Sequence, residues 1–130
     1  MPKIGLGKSV YDAAIERIEY TFDNFERVYL SFSAGKDSTI MLHLTASVAK
    51  RIGRKFGVLL VDLEGQYKLT MEHAEKCIDM YKDIIDLHWV CLPIHLRNAV
   101  SVYQPFWKCW DPEAKDAWIR QPDRKSTRLN

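Results

Sequence analysis

The sequence predicts an α/β fold, a doubly wound parallel sheet of the three-layer α/β/α kind that stops after about three strands. Three observations carry that reading. Short β-rich or apolar runs fall at 28–33, 57–62 and 87–92; the stretches between them have helical apolar spacing; and each connection is long enough for a right-handed crossover between parallel neighbours.

Taken in order, Val10, Ala14, Ile18, Phe22 and Phe25 form the i, i+4 stripe of an amphipathic helix. Ser9 followed by Asp12 is a capping arrangement, expected to satisfy free amides of the first turn from both side chains. Val28 to Ser33 reads as the first strand, and a loop of small residues leads into a helix from Ser38 to Ile52, with Ile40, Met41, Leu44, Val48 and Ile52 on its apolar side. Gly53 stands where a C-cap belongs. Gly57 to Asp62 is nearly all apolar, the pattern of a parallel strand covered on both faces. A third helix is expected over Thr70 to Ile85, and a third strand from Leu87 to Leu92, ended by Pro93. Beyond Ile94 the pattern blurs into the aromatic stretch Tyr103 to Trp110, and Asp111-Pro112-Glu113 announces a last helix.

Composition sets the outer bounds. With 47% hydrophobic and 28% charged residues, the chain belongs to the globular class and not to disordered or fibrous ones. It reads as one domain over 1–122, followed by a tail, 123–130, whose composition looks foreign to it. The net charge of +2 resides in that tail; without it basic and acidic side chains balance, so no direct nucleic-acid binding is indicated. No apolar run approaches the roughly 20 residues of a membrane span, which leads to the expectation of a cytoplasmic protein. Cys77, Cys91 and Cys109 are odd in number and never paired as Cys-x-x-Cys, so they read as reduced thiols, not as a disulfide frame or a zinc knuckle. Gly5 to Ser9 imitates the end of a Walker A motif, but Pro2 stands where its first glycine belongs and no strand precedes it.

The chemistry concentrates in Ser33-Ala34-Gly35-Lys36-Asp37-Ser38. A strand that runs through small residues into a helix start fans backbone amides toward the positive end of the helix dipole, and an anion is the natural guest. Small side chains at Ser33, Ala34 and Gly35 let the backbone approach phosphate oxygens. Lys36 supplies a cation, the Ser38 hydroxyl a further donor, and Asp37 either a Mg²⁺ ligand or a brace for the loop.

This loop, with Thr39 to Leu44 after it, resembles the Ser-Gly-Gly-Lys-Asp-Ser pyrophosphate loop of the PP-loop ATP pyrophosphatases. Within that superfamily the chain is similar to the branch of PAPS (3′-phosphoadenylyl-sulfate) reductases and the small subunit of ATP sulfurylase. Tyr103 to Trp107, Cys109 to Pro112 and Trp118 to Arg120 are similar to phage- and island-encoded PAPS-reductase-like regulators. The resemblance covers nearly all of residues 9–122. It implies an adenine nucleotide alpha hydrolase-like fold that binds ATP or an adenylyl sulfate (PAPS or APS), with Mg²⁺, and either transfers an adenylyl group by cleavage between the α and β phosphates or handles a sulfonucleotide. Lys36 and Asp37 would then be catalytic, Asp37 a metal ligand, and Ser33 to Ser38, Val61, Asp62 and Arg120 the nucleotide-binding set. The regulator branch implies an alternative: a non-catalytic nucleotide-binding module that works beside a ParB-like protein. Two departures stand out. Ala34 replaces a glycine, a change that a backbone outside the left-handed region accepts, and no cysteine here matches the Glu-Cys-Gly-Leu-His motif of true PAPS reductases. In this fold the first strand lies between the second and a fourth beyond residue 122, so its outer edge is expected to be unpaired in this chain and open to self-association.

The remaining candidates stay open between function and packing. Asp62 closes the second strand at the sheet's ligand edge, for ribose or magnesium or simply solvated, and Glu64 follows it with a weaker claim. Arg120 either grips phosphate or sulfate or lies on the surface; Trp107, Trp110 and Trp118 either stack on a base or close the core. His43 is expected to pack with a hydrogen bond rather than act as acid or base, and His73, His88 and His95 have no ligand spacing.

Overall fold

Ser9 starts the first helix as its residue type requires: its Oγ accepts the Asp12 N–H at 3.0 Å, and helix α1 runs Val10–Asn24. The Asp12 carboxylate takes the Ser9 hydroxyl at 2.6 Å instead of a backbone amide, so the reciprocal half of the expected box is absent. In this computed structural model, which describes residues 5, 7–122 and 126–127, the chain continues through strand β1 (Tyr29–Ser31), α2 (Lys36–Ile52), β2 (Phe56–Asp62), α3 (Lys68–Tyr81) and β3 (Ile85–Cys91). Gly53 ends α2 at φ +68°, a left-handed cap that a side chain would strain. The third helix stops at Tyr81, and Ile85 belongs to the next strand, because a turn from Lys82 to Ile84 brings the chain back to the sheet.

The parallel α/β sheet is the expected one. Tyr29 pairs with Gly57 and Ser31 with Leu59; Phe56 pairs with Ile85 and Asp62 with Cys91, all in parallel. The two crossovers step in the same direction across the sheet, and right-handed connections then place α2 and α3 on one face. Side-chain bonds from Thr39 to His73 and from His43 to Tyr81 close the seam between them. Helix α1 flanks α2, with Ile18 and Phe22 in the core and an ion pair from Glu19 to Arg51. The core is therefore Phe56, Val58, Leu60, Ile85 and Trp89 from one sheet face, under Leu42, Ala46, Ala49, Ala74 and Ile78 from the helices.

Among the described residues no helix covers the opposite face, where Tyr29 is 69% and Val61 38% exposed, so the expected three layers are present here as two. The buried stripe of α2 differs from the expected one: Leu42, Thr45, Ala46, Val48 and Ala49 are buried, whereas Ile40, Met41 and Ile52 look outward.

After β3 the chain makes an antiparallel hairpin, β4 (Ile94–Arg97) with β5 (Phe106–Cys109), where the sequence promised only an irregular aromatic segment. Ile94 and Leu96 alternate with His95 and Arg97, and their partners Cys109 and Trp107 share the inward face. Each arm is four residues long, too short for the alternation to stand out. The helix expected after Asp111 is one 3₁₀ turn, Lys115–Ala117, because the Asp111 carbonyl is taken by the Trp118 indole at 2.9 Å as well as by the Ala114 amide. Of the tail, Ser126–Thr127 pairs in parallel with Trp89 and Val90 as β6; the rest of 123–130 lies outside the described residues. Strand β1 pairs with β2 alone among them, leaving the outer edge open as expected.

Arg54 ties these layers together. Its guanidinium lies over the Phe22 ring and donates to the carbonyls of Phe22, Phe25 and Glu26, which a helix end leaves without partners. Arg54→Ala is expected to lower stability by about 2 kcal/mol, and Arg54→Lys to recover little of it because an ammonium has no planar fork. Urea unfolding followed by circular dichroism measures both.

Candidate functional site

Strand β1 hands the chain to Phe32, a core residue 1% exposed, and then to a bend that faces solvent. Ser33 and Gly35 are exposed and Ala34 half-buried; Lys36, Asp37 and Ser38 form the first turn of α2, two residues earlier than the sequence reading placed its start. Gly35 occupies the N-cap and brings no side chain to the helix end, in contrast to Ser9 on α1. The hydroxyls brace the loop internally: Ser38 Oγ donates to the Gly35 carbonyl at 3.0 Å, accepts the Ser33 N–H at 3.3 Å and lies 3.1 Å from Ser33 Oγ. Ser38 thus orients the loop before it can serve any ligand. Lys36 and Asp37 project into water, 85% and 91% exposed, with 3.7 Å between Nζ and Oδ1. A pair so exposed contributes little to stability, which leaves both groups available to a ligand.

Ala34 is the correction in this loop. Its φ is +59°, inside the left-handed region, so the methyl is strained where the sequence reading supposed it was accommodated.

Asp62 and Glu64, at the end of β2, are not free rim groups. Asp62 is fully buried; Oδ1 accepts the Glu64 N–H at 2.9 Å and an Arg120 Nη, and Oδ2 accepts the Trp89 indole N–H at 2.9 Å. Glu64, 3% exposed, accepts the Trp110 N–H at 2.5 Å and the Ile119 N–H at 2.9 Å, one on each carboxylate oxygen. Arg120 Nε donates to the Glu64 carbonyl at 3.1 Å, and its guanidinium lies over Trp110. The structure brings Asp62 and Arg120 together, with each other rather than with the loop, and Trp110 and Trp118 pack edge to face. Val61 points to the open face of the sheet, away from Asp62. In the sequence Glu64 has only a weaker claim than Asp62, because a charged residue after a strand is ordinarily solvated; the structure buries it, at φ +63°.

A model of the phosphoadenosine phosphosulfate reductase domain matches residues 27–118, from the approach to β1 to the turn after the hairpin. The chain belongs to this PAPS reductase domain family. It is 44% identical over 121 residues to YbdN of Escherichia coli (strain K12), described as uncharacterized; the match takes in 92% of this chain, which spans 29% of that relative's length.

In this PAPS reductase domain the thiols sit away from solvent. All three are buried, and burial pushes the Cys77 and Cys109 thiols above their ordinary range, so they stay protonated at neutral pH. Among the described residues no three His, Cys, Asp or Glu side chains are grouped to hold a metal ion. A Mg²⁺ at Asp37 would have one protein carboxylate, and phosphate oxygens would have to supply other ligands. No helix of the described residues is long and apolar enough to cross a membrane.

Two outcomes follow. Ala34→Gly relieves the left-handed strain and is expected to raise stability by about 1 kcal/mol, read as an upward shift of the urea midpoint at unchanged slope. The thiols should react with Ellman's reagent at pH 8 no faster than the chain opens; prompt labelling of any one of them in native protein would contradict their burial.

Proposed function

We propose that residues 33–38 bind the phosphate or sulfate end of an adenine nucleotide, ATP or an adenylyl sulfate such as PAPS or APS. The observation that carries this reading is the first turn of α2: a helix start with no side-chain cap, open to solvent, with a lysine on its rim, in a family named for a sulfonucleotide. Amides of Lys36, Asp37 and Ser38 present partial positive charge to the anion. Lys36 adds a mobile cation, and Asp37 would hold Mg²⁺, which when bound would supply further positive charge. Where the nucleotide is ATP, an acceptor attacks the α-phosphorus, the bond to the bridging oxygen breaks, and pyrophosphate leaves with its charge spread over the loop amides and Lys36. Catalysis of that kind is positioning and electrostatics.

A second reading, a nucleotide-binding module that acts through a ParB-like protein partner, draws on the engagement of Asp62, Glu64 and Arg120 in internal bonds, which leaves few groups for chemistry. Cysteines outside any disulfide are in keeping with a cytoplasmic setting for either. The unpaired edge of β1 offers a surface for self-association, which light scattering would detect as a concentration-dependent mass.

Calorimetric titration with ATP, APS and PAPS, paired with a pyrophosphate-release assay, tests the proposal. Binding that Lys36→Ala weakens by about tenfold is expected for loss of one charge-assisted contact. Turnover abolished by Asp37→Asn supports the enzyme, and binding without product the module. Absence of binding to all three nucleotides, or affinity indifferent to Lys36→Ala, would count against the site.

A further inference from the structure

A hydrogen-bond relay leads from α3 into the anion loop. His73 Nε2 lies 2.9 Å from Thr39 Oγ1, across the seam between α3 and α2. Thr39 Oγ1 in turn lies 2.8 Å from the Gly35 carbonyl, which also accepts the Thr39 N–H and the Ser38 hydroxyl, each at 3.0 Å. Gly35 is the N-cap of α2 and has no side chain with which to set the geometry of the first turn. That geometry depends on what holds its carbonyl.

We propose that His73 is a positioning residue of the anion loop: it donates from Nε2 to Thr39, commits the Thr39 hydroxyl proton to the Gly35 carbonyl, and so fixes the angle at which the first-turn amides meet an anion. The proposal rests on the reading of residues 33–38 as an anion site. A threonine hydroxyl has one proton; if that proton goes to Gly35, the ring nitrogen opposite must be the donor, and Nε2 carries the hydrogen. The other polar neighbour of the ring is the Cys77 thiol on α3 itself, 3.5 Å from Nε2 and 4.0 Å from Nδ1. Burial keeps that thiol neutral. A direct link from α3 to the first turn of α2 is thus made by one imidazole and one hydroxyl, 34 positions apart in sequence.

The test uses the 130-residue chain and two probes, inorganic pyrophosphate and ATP, titrated calorimetrically into wild type, His73→Gln, His73→Phe, Thr39→Val and the double variant His73→Phe/Thr39→Val, with circular dichroism to verify the fold. His73→Phe removes the donor at similar size and should weaken both probes by about tenfold, the factor expected for one hydrogen bond of ordinary net strength. His73→Gln, whose amide reaches the same hydroxyl, should restore affinity to within about twofold of wild type, which a purely space-filling role would not require. Thr39→Val should match His73→Phe, and the double variant should be no weaker than either single one. Should His73→Phe fail to fold, Thr39→Val and His73→Gln carry the same comparison. Wild-type affinity in folded His73→Phe, or a His73→Gln variant as weak as His73→Phe, overturns the proposal while leaving the anion site standing. A wild-type chain that binds neither probe overturns the anion site, and this proposal with it.

Discussion

Two carboxylates buried at the end of β2 hold the second half of this molecule against the first. A charge taken out of water is costly unless paired and hydrogen-bonded, and beside the local Glu64 N–H on Asp62 the two carboxylates meet that condition by gathering groups from far along the chain: Trp89 from β3, Trp110 from the end of the hairpin, and Ile119 and Arg120 from the segment beyond the 3₁₀ turn. The Asp62 carbonyl adds the Trp110 indole at 2.6 Å. Apart from the Glu64 amide, every one of these donors is 25 or more residues away in sequence. The segment from 94 to 120 has little regular structure of its own, and these bonds, with the Ile94, Leu96 and Trp107 side chains on the core, give it a fixed place.

The backbone shows where that closure is strained. Among the described residues three non-glycines have positive φ: Ala34 after β1, Glu64 after β2 and Trp110 after β5, at +59°, +63° and +51°. Ala34 and Glu64 follow strands of the parallel sheet, at the carboxyl edge where doubly wound sheets receive their ligands, whereas Trp110 follows a strand of the hairpin. Strain of this kind, roughly 1–2 kcal/mol per residue, persists only when the surroundings over-determine the conformation. At Glu64 and Trp110 the surroundings are visible: the Glu64 carboxylate and the Trp110 amide bond to each other. At Ala34 the hydroxyl network of Ser33 and Ser38 braces the bend, and the half-buried methyl packs against the core.

This division also explains what the sequence revealed. Helices α1 and α2 and strand β2 were legible because their signals are local: Ser9 before a periodic stripe, Gly53 after one, and a nearly continuous apolar run from Val58 to Val61. The loop was legible for the same reason, since small residues, a lysine and a helix start are adjacent in sequence. The roles of Glu64 and Arg120 were not, because they arise from the meeting of segments 46 and 56 residues apart, and no local pattern records such a meeting. Ala34 illustrates a different failure. Residue type alone argued for an ordinary backbone there, and the tight turn required by the strand-to-helix bend prevailed over the preference of alanine.

The same contacts narrow where an anion is received. Arg120, a fork well suited to phosphate, donates to the buried Asp62 carboxylate and the Glu64 carbonyl and rests on Trp110. To turn it toward a ligand would leave Asp62, which has no solvent exposure, short of a partner, and breaking a buried pair in that way costs about 3–5 kcal/mol. A phosphate would have to repay that cost before it gained anything from the guanidinium. Lys36 faces no such cost: its only described partner is the exposed Asp37 at 3.7 Å, an interaction water already screens. Free amides, a mobile ammonium and an unburied carboxylate therefore coincide at the start of α2, whereas the end of β2 carries charges that are already matched. On the proposed reading an anion is received at the first of these places, and the bonds at the second stay intact.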